Sequence, residues 1–453
     1  MPAPPPARPE VESLQAYSAP LEGRRGLLRL DFNENTVGPS PRVVEAIRAI
    51  PPDRYAIYPE YDGLREAVLA SLAAMPRAIV AAAPSKAPVP PVAPAIRADG
   101  VPALAPVSLP QQPARRPSLR IEQVGLFNGV DAALHAVFHA YGAPGDRLLT
   151  TSPTFGYYTP CARMQGMVIE AIPYRMPGFS FPFEEILAAL TMPPAGADGG
   201  WRPPRLLLLC NPNNPTGTRL APEVVLALAA AAPHTLVVVD ELYEAFTGDS
   251  VLPLLLGPGG GQDPAGLKPG DTAAAAAGEV AAPETAAHPT AAGADPFGAC
   301  PNLLVLRSLS KTAGIAGLRI GFAIGAAAVV DRVSRVTGPY DINSFAVTAA
   351  FAALADQAYV DAYVAEVLAA RQWLVERLVA AGVRHHVGGG NYLLIWPQRP
   401  AAEVDQALRE AGILVRSMAG KPLIDGSLRV SLGTLEQMGR FWEAFAIGDA
   451  RPV

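Results

Sequence analysis

The sequence predicts an α/β fold in which a mostly parallel sheet is covered by helices on both faces, followed by a smaller α+β domain. Short apolar runs without polar alternation, each closed by a turn signal, suit strands buried on both faces. They read RLLTTSP at 147–153, RLLLLCNPNNPTG at 205–217, TLVVVDELY at 235–243, NLLVLRSLSK at 302–311 and LRIGFAIG at 318–325. Helix-forming stretches such as 130–141 and 222–232 lie between them, the alternation expected of a doubly wound sheet. After about 345 the text changes: helical patterning over 345–381 precedes two strand signals, NYLLIWP at 391–397 and LRVSLG at 428–433.

A chain of 453 residues is long enough for two domains with substantial cores. The expected division is an N-terminal segment, 1–57, that packs with the small domain, a large domain over 58–335 and the small domain over 336–453. Two stretches break the globular texture, 76–118 and 257–298, both rich in Ala, Pro and Gly and nearly without aromatics. Such compositions bury too little apolar surface to offset the entropy of ordering, so both are predicted to be surface insertions without a fixed fold.

Charged residues make up 17% of the chain and the formal net charge is −5, with Lys and Arg scattered rather than clustered. That leaves nucleic acid and anionic membranes no electrostatic footprint, and neither is expected as a partner. No apolar run approaches the roughly 18 residues of a membrane span. Cys161, Cys210 and Cys300 are odd in number and far apart, which suggests neither a disulfide framework nor a structural metal. The opening MPAPPPARPEVESL has neither an apolar signal core nor transit-peptide character, so the expected location is cytoplasmic.

The most informative string is Ser308-Leu309-Ser310-Lys311, trailed by Gly314, Gly317, Arg319 and Gly321. A lysine placed after a buried strand can form a Schiff base with an aldehyde cofactor, while Ser308, Ser310 and Arg319 supply donors and charge for a phosphate. Upstream, Phe127-Asn128-Gly129-Val130-Asp131 opens a helix whose first N–H groups can bind phosphate, with glycine permitting close approach. Asn211-Pro212-Asn213-Asn214-Pro215-Thr216-Gly217 and Val239-Asp240-Glu241-Leu242-Tyr243 each follow an apolar strand, at the sheet end where open α/β folds bind ligands. An aspartate there can pair with a protonated pyridine nitrogen, although a helix N-cap reads as well for that residue alone. Pro153-Thr154-Phe155-Gly156-Tyr157-Tyr158 offers an aromatic face for stacking or for the core. His135 and His139 have the spacing of a metal pair, but Ala136 replaces the glutamate of the zinc-protease motif, and no metal is expected.

Taken together, these strings resemble the pyridoxal-phosphate-dependent aminotransferases of class I/II, fold type I, and within them the histidinol-phosphate aminotransferase group. The resemblance covers about 30–450 apart from the two inserts. It implies Lys311 as the residue that carries the cofactor, Asp240 at the pyridine nitrogen, and Asn214 and Tyr243 at the phenolic oxygen. The phosphate then falls to the amides near Gly129, Val130 and Asp131, to Ser308, Ser310 and Arg319, and to Tyr58 reaching across a homodimer interface. Phe155, where this group usually has tyrosine, keeps a stacking face and loses a hydroxyl.

On the substrate side, Asp31-Phe32-Asn33-Glu34-Asn35-Thr36 resembles the family's entry segment, with Thr36 in place of a proline. The resemblance makes Asn35, Arg416 and Arg429 the substrate-binding candidates. Arginine's planar fork suits a phosphate or a carboxylate equally. The expected activity is therefore transfer of an amino group from L-histidinol phosphate to 2-oxoglutarate. An aromatic amino acid is the alternative donor, and decarboxylation or oxidation on the same fold is a further one.

Overall fold

The computed structural model describes residues 5–15, 22–74, 118–193, 200–256 and 294–450. Thirteen strands are used below, numbered in chain order. Seven of them, β2 (Val124–Phe127), β3 (Arg147–Ser152), β4 (Val168–Pro173), β5 (Leu206–Cys210), β6 (Leu236–Asp240), β7 (Leu303–Ser308) and β8 (Gly321–Gly325), form one sheet in the order β2-β8-β7-β6-β5-β3-β4. Only β8 runs against the others. Its reversal brings its first residues to the end of the sheet where the parallel strands finish.

The central strands are apolar throughout, LLLLC in β5 and LVVVD in β6, and every residue of both is buried. That is the pattern of a sheet covered on both faces. Helices Gly129–Tyr141 and Pro222–Ala231 bury Leu134, Val137 and Phe138 and Val225, Leu226 and Leu228 in the same core. The first strand predicted from sequence begins at 147, yet β2 and β4 also belong to the sheet. Both were missed because β2 is only four residues long and β4 is an edge strand with no buried residue.

The last part of the chain holds a four-stranded antiparallel sheet in the order β12 (Arg416–Ser417), β13 (Leu428–Ser431), β10 (Tyr392–Trp396), β9 (Arg384–Val387). Helices Ser344–Leu354 and Gln357–Ala380 precede it. Near the N-terminus, β1 (Leu28–Arg29) pairs in parallel with β11 (Ile413–Leu414), which fixes the segment after it against this second unit.

Residues 76–117 and 257–293 of the two predicted inserts lie outside the described residues. The folded body resumes before the predicted end of the second insert. Phe297 is fully buried, and Asp295 Oδ1 accepts from Gln123 Nε2 at 2.9 Å and from the Phe297 N–H at 2.9 Å, so 294–298 belong to the folded body. A fully buried phenylalanine and a capping aspartate in Asp295-Pro296-Phe297 were hidden by the alanine-rich text before them. No helix among the described residues is long and apolar enough to cross a membrane. Cys161, Cys210 and Cys300 are buried free thiols.

Candidate active site

Sheet register places most of the chemistry. Cys210 stands opposite Asp240, and Asp240 opposite Leu306, so the segments leaving β5, β6 and β7 emerge side by side with Asn214, Tyr243 and Lys311 on them. Ser308 stands opposite Gly321, and Gly321 opposite Phe127, which sets Ser308, the start of β8 and the start of helix Gly129–Tyr141 in a row.

At that row the groups are donors crowded around small residues. Gly129 has φ 79°, and a Cβ there would lie 2.7 Å from Nη2 of Arg319. A Cβ on Gly321 would lie 2.8 Å from the backbone of Gly129 and Val130. Arg319, itself left-handed at φ 61°, gives one N–H to Asp131 Oδ2 at 2.8 Å and another to the Ala316 carbonyl at 3.3 Å, out of five. Ser308 Oγ donates to Ser310 Oγ at 2.9 Å. The first N–H groups of a helix have no intrahelical partner. Together with two hydroxyls and a guanidinium they make a cradle that fits a phosphate dianion.

Asp240 is buried, its Oδ2 accepting from the Tyr158 hydroxyl at 2.8 Å and its Oδ1 from the Leu242 N–H at 3.2 Å. Burial pushes its carboxyl up to about 6, against these bonds, which favour the charged form. A buried carboxylate that forms no salt bridge among the described residues suits a cationic ring nitrogen. Behind it, Arg307 Nε lies 3.0 Å from Glu241 Oε2, also pairs with Glu244, and donates to Ser250 Oγ at 2.8 Å. These bonds tie the ends of β6 and β7 together from the far side.

Lys311 Nζ donates to the Phe32 carbonyl at 2.9 Å. Burial, and then the charge of Arg429, pull its amine down to about 8. Arg429 is buried and donates to Asn214 Oδ1 at 2.6 Å and to the Asp31 carbonyl. Asn214 Nδ2 in turn donates to the Tyr243 hydroxyl at 3.3 Å. Burial raises Tyr243 well above the usual range, and Arg429 opposes that. Phe155 packs edge-on against Tyr158 with centroids 5.4 Å apart, beside this group.

Thus Lys311, Asp240, Asn214, Tyr243, Phe155, Ser308, Ser310, Arg319, Gly129, Val130, Asp131 and Arg429 are all brought to one end of the sheet or its facing segment. Arg416 is directly opposite Arg429 across β12 and β13, its guanidinium 5.7 Å from the centre of the Phe32 ring. Tyr58 stands apart, 70% exposed and stacked on Tyr340 at 4.0 Å, in a segment that is not helical. Asn35 is turned into its own loop, accepting from the Val37 and Gly38 N–H groups at 2.9 Å each and donating to the Thr312 carbonyl at 2.8 Å. It braces the residue after Lys311.

Two residues in the site were not singled out from sequence, Tyr158 and Asn33. Each lay in a string already noted, but nothing in the spacing says which of two adjacent tyrosines, or which asparagine of Asn-Glu-Asn, points inward. Among the described residues no group of three or more His, Cys, Asp or Glu side chains could hold a metal.

A lysine with a lowered pKa, a buried carboxylate and a phosphate cradle at one end of an α/β sheet define an enzyme that works through a phosphorylated aldehyde cofactor. The family model for aminotransferase class I and II matches residues 115–445, and the chain belongs to that family. A histidinol-phosphate aminotransferase from Roseiflexus castenholzii is 30% identical over 95% of this chain and 94% of its own. One from Symbiobacterium thermophilum is 29% identical over 94% and 92%. Among solved structures, the Sinorhizobium meliloti histidinol-phosphate aminotransferase in complex with pyridoxal-5'-phosphate aligns with a TM-score of 0.70 at 20% identity, covering 98% of both chains. At that identity it speaks for the fold.

Proposed function

We propose that this chain is a pyridoxal-phosphate-dependent histidinol-phosphate aminotransferase that passes the amino group to 2-oxoglutarate, as a homodimer in the cytoplasm. The carrying observation is the cross-strand pair Arg416 and Arg429, of which Arg429 lies close enough to Lys311 for its charge to lower that amine's pKa; two guanidiniums on neighbouring strands there suit an anionic substrate tail. Curated relatives of that name, aligned over nearly the whole of both chains, support the same reading.

Gly129, Val130, Asp131, Ser308, Ser310 and Arg319 would hold the phosphate of the cofactor, Asp240 its ring nitrogen, Asn214 and Tyr243 its phenolic oxygen, and Phe155 a ring face. When bound, pyridoxal phosphate supplies an electron-withdrawing ring that accepts the electron pair released at the substrate Cα. Lys311 Nζ would take the proton from the substrate Cα and give it up at the cofactor's C4′ carbon. An amine near pH 8 in its titration can do both, whereas an ordinary lysine would stay charged. Asp240, ionised above about pH 6, would pair with a protonated ring nitrogen and favour its positive charge. Tyr58, exposed in the single chain, would reach the phosphate of a second copy.

The test is a half-reaction without oxo acid. The cofactor-loaded protein is mixed separately with L-histidinol phosphate and with L-phenylalanine, and loss of the lysine-linked absorbance is followed. Conversion at least tenfold faster with histidinol phosphate is expected. Faster conversion by phenylalanine would reassign the enzyme to aromatic amino acids, and release of CO2 or uptake of oxygen would change the reaction.

A further inference from the structure

Asn33 is fully buried with a left-handed backbone, φ 56°, just beyond the strand that ties the N-terminal segment to β11. Its Nδ2 donates to the Tyr243 hydroxyl at 3.0 Å, and its Oδ1 accepts from Ser431 Oγ at 2.8 Å. The Asn33 N–H donates to the same Ser431 oxygen at 2.8 Å, and its carbonyl accepts from Asn391 Nδ2 at 3.1 Å. Both lone-pair sites of the Tyr243 oxygen are therefore claimed by amide donors, Asn33 at 3.0 Å and Asn214 at 3.3 Å. A hydroxyl that accepts twice has its own proton left to give in a third direction.

We propose that Asn33 is a positioning residue for the reaction: with Asn214 it saturates the acceptor side of the Tyr243 hydroxyl and aims its O–H at the phenolic oxygen of pyridoxal phosphate. This rests on the reading of the site given above. A left-handed φ alone is met by glycine at no steric cost. The asparagine amide is here engaged on both its ends, with the donor end on a site residue, which a backbone role does not require. Through Ser431 on β13 and Asn391 beside β10, the small domain thereby sets the orientation of a hydroxyl carried by the large one.

The experiment is a pH titration of the lysine-linked absorbance of the cofactor-loaded protein, without substrate. Wild type is compared with Tyr243→Phe, Asn33→Gly, Asn33→Asp and the double variant Asn33→Gly/Tyr243→Phe. A hydrogen bond to the phenolic oxygen weakens it as a base. Losing that bond strengthens its hold on the proton of the Lys311 nitrogen and moves the midpoint up. Asn33→Gly, which keeps the backbone and loses the donor, is expected to raise the midpoint by roughly half a unit, about threefold in the equilibrium. Asn33→Asp keeps shape, backbone preference and the Ser431 bond but draws the Tyr243 proton to itself, so its midpoint moves further. Adding Asn33→Gly to Tyr243→Phe is expected to change nothing more. A wild-type midpoint in Asn33→Gly, or in Asn33→Asp where the glycine variant does not fold, overturns the proposal if Tyr243→Phe is shifted. A wild-type protein with no cofactor-linked titration at all overturns the reading of the site, and the proposal with it.

Discussion

The groups assigned to the cofactor and those assigned to the substrate are held by different kinds of structure. Asn214, Asp240, Tyr243, Ser308, Ser310 and Lys311 leave neighbouring strands whose register is locked by continuous apolar runs, with Arg307 and its two glutamates bracing them from behind. Arg416 and Arg429 sit on strands of two and four residues. They meet the rest through the Arg429–Asn214 bond and through the segment Asp31, Phe32 and Asn33, whose successive groups touch Arg429, Lys311 and Tyr243. The chemistry is thus written into one sheet, whereas the substrate side depends on pieces about 400 residues apart in sequence. The first half should respond to substitution as a matter of reaction, the second as a matter of which substrate.

The sharpest way to break that distinction is at Lys311. Lys311→Ala is expected to lower turnover by roughly 10⁴-fold or more and to remove the lysine-linked absorbance, read by steady-state kinetics and by the absorbance of the cofactor-loaded protein. Arg429 straddles the two halves. Arg429→Ala leaves the Asn214 and Asp31 oxygens without their donor and should cost about 2–4 kcal/mol in kcat/KM for any substrate. Arg416→Ala should raise KM about tenfold for a phosphate-tailed donor and spare a neutral-tailed one. Steady-state kinetics with both donors decide this, and equal losses with Arg416→Ala would remove it from the phosphate.

Asp240 sharpens the comparison through pH. Its folded pKa is raised from 3.8 to about 6, so the folded chain binds the proton more tightly than the unfolded one. The cost of the buried charge is fully present above about pH 6 and is relieved as pH falls towards 4. Asp240→Asn should therefore abolish most activity yet stabilise the cofactor-free protein by about 1–3 kcal/mol at pH 7, with the gain shrinking at pH 4. Lys311 works in the opposite direction. Its pKa is lowered from 10.5 to about 8, so its burial destabilises below about pH 8 and that cost fades as pH rises towards 10.5. Denaturant unfolding across pH measures both.

Legibility in the sequence followed the same division. Lys311, Asp240, Asn214 and Arg319 stand in strings that follow a strong strand or a glycine-marked turn, a definite place in an α/β fold, while their expected roles come from the family resemblance and not from the spacing. Asn33 and Tyr158 were not readable, because their inward aim is decided by partners at 243, 431 and 240 that no local pattern names. Asn35 shows the converse: its string was conspicuous, but its side chain is consumed by the turn it makes. The small domain's β9, β11 and β12 went unread because runs of two to four residues carry no periodicity. The three glycines at 388–390 likewise gave no hint that a Cβ on Gly388 would lie 2.4 Å from Gly217, where the asparagine loop and the second unit touch.

The smallest effect expected separates sequence texture from folded structure at the second insert. Replacing 258–293 with a short Gly/Ser linker should leave turnover and thermal unfolding within error of wild type, since every residue assigned to the site above lies outside it. Extending the same deletion through 298 removes Phe297, which is fully buried, and the Asp295 carboxylate that takes the Gln123 amide. That longer deletion should lower stability by about 3–5 kcal/mol, the cost of losing a core phenylalanine, with little change in KM for the protein that remains folded. Only a shorter deletion as damaging as the longer one would mean that the alanine-rich text contributes to the body of the enzyme, and that composition misjudged it.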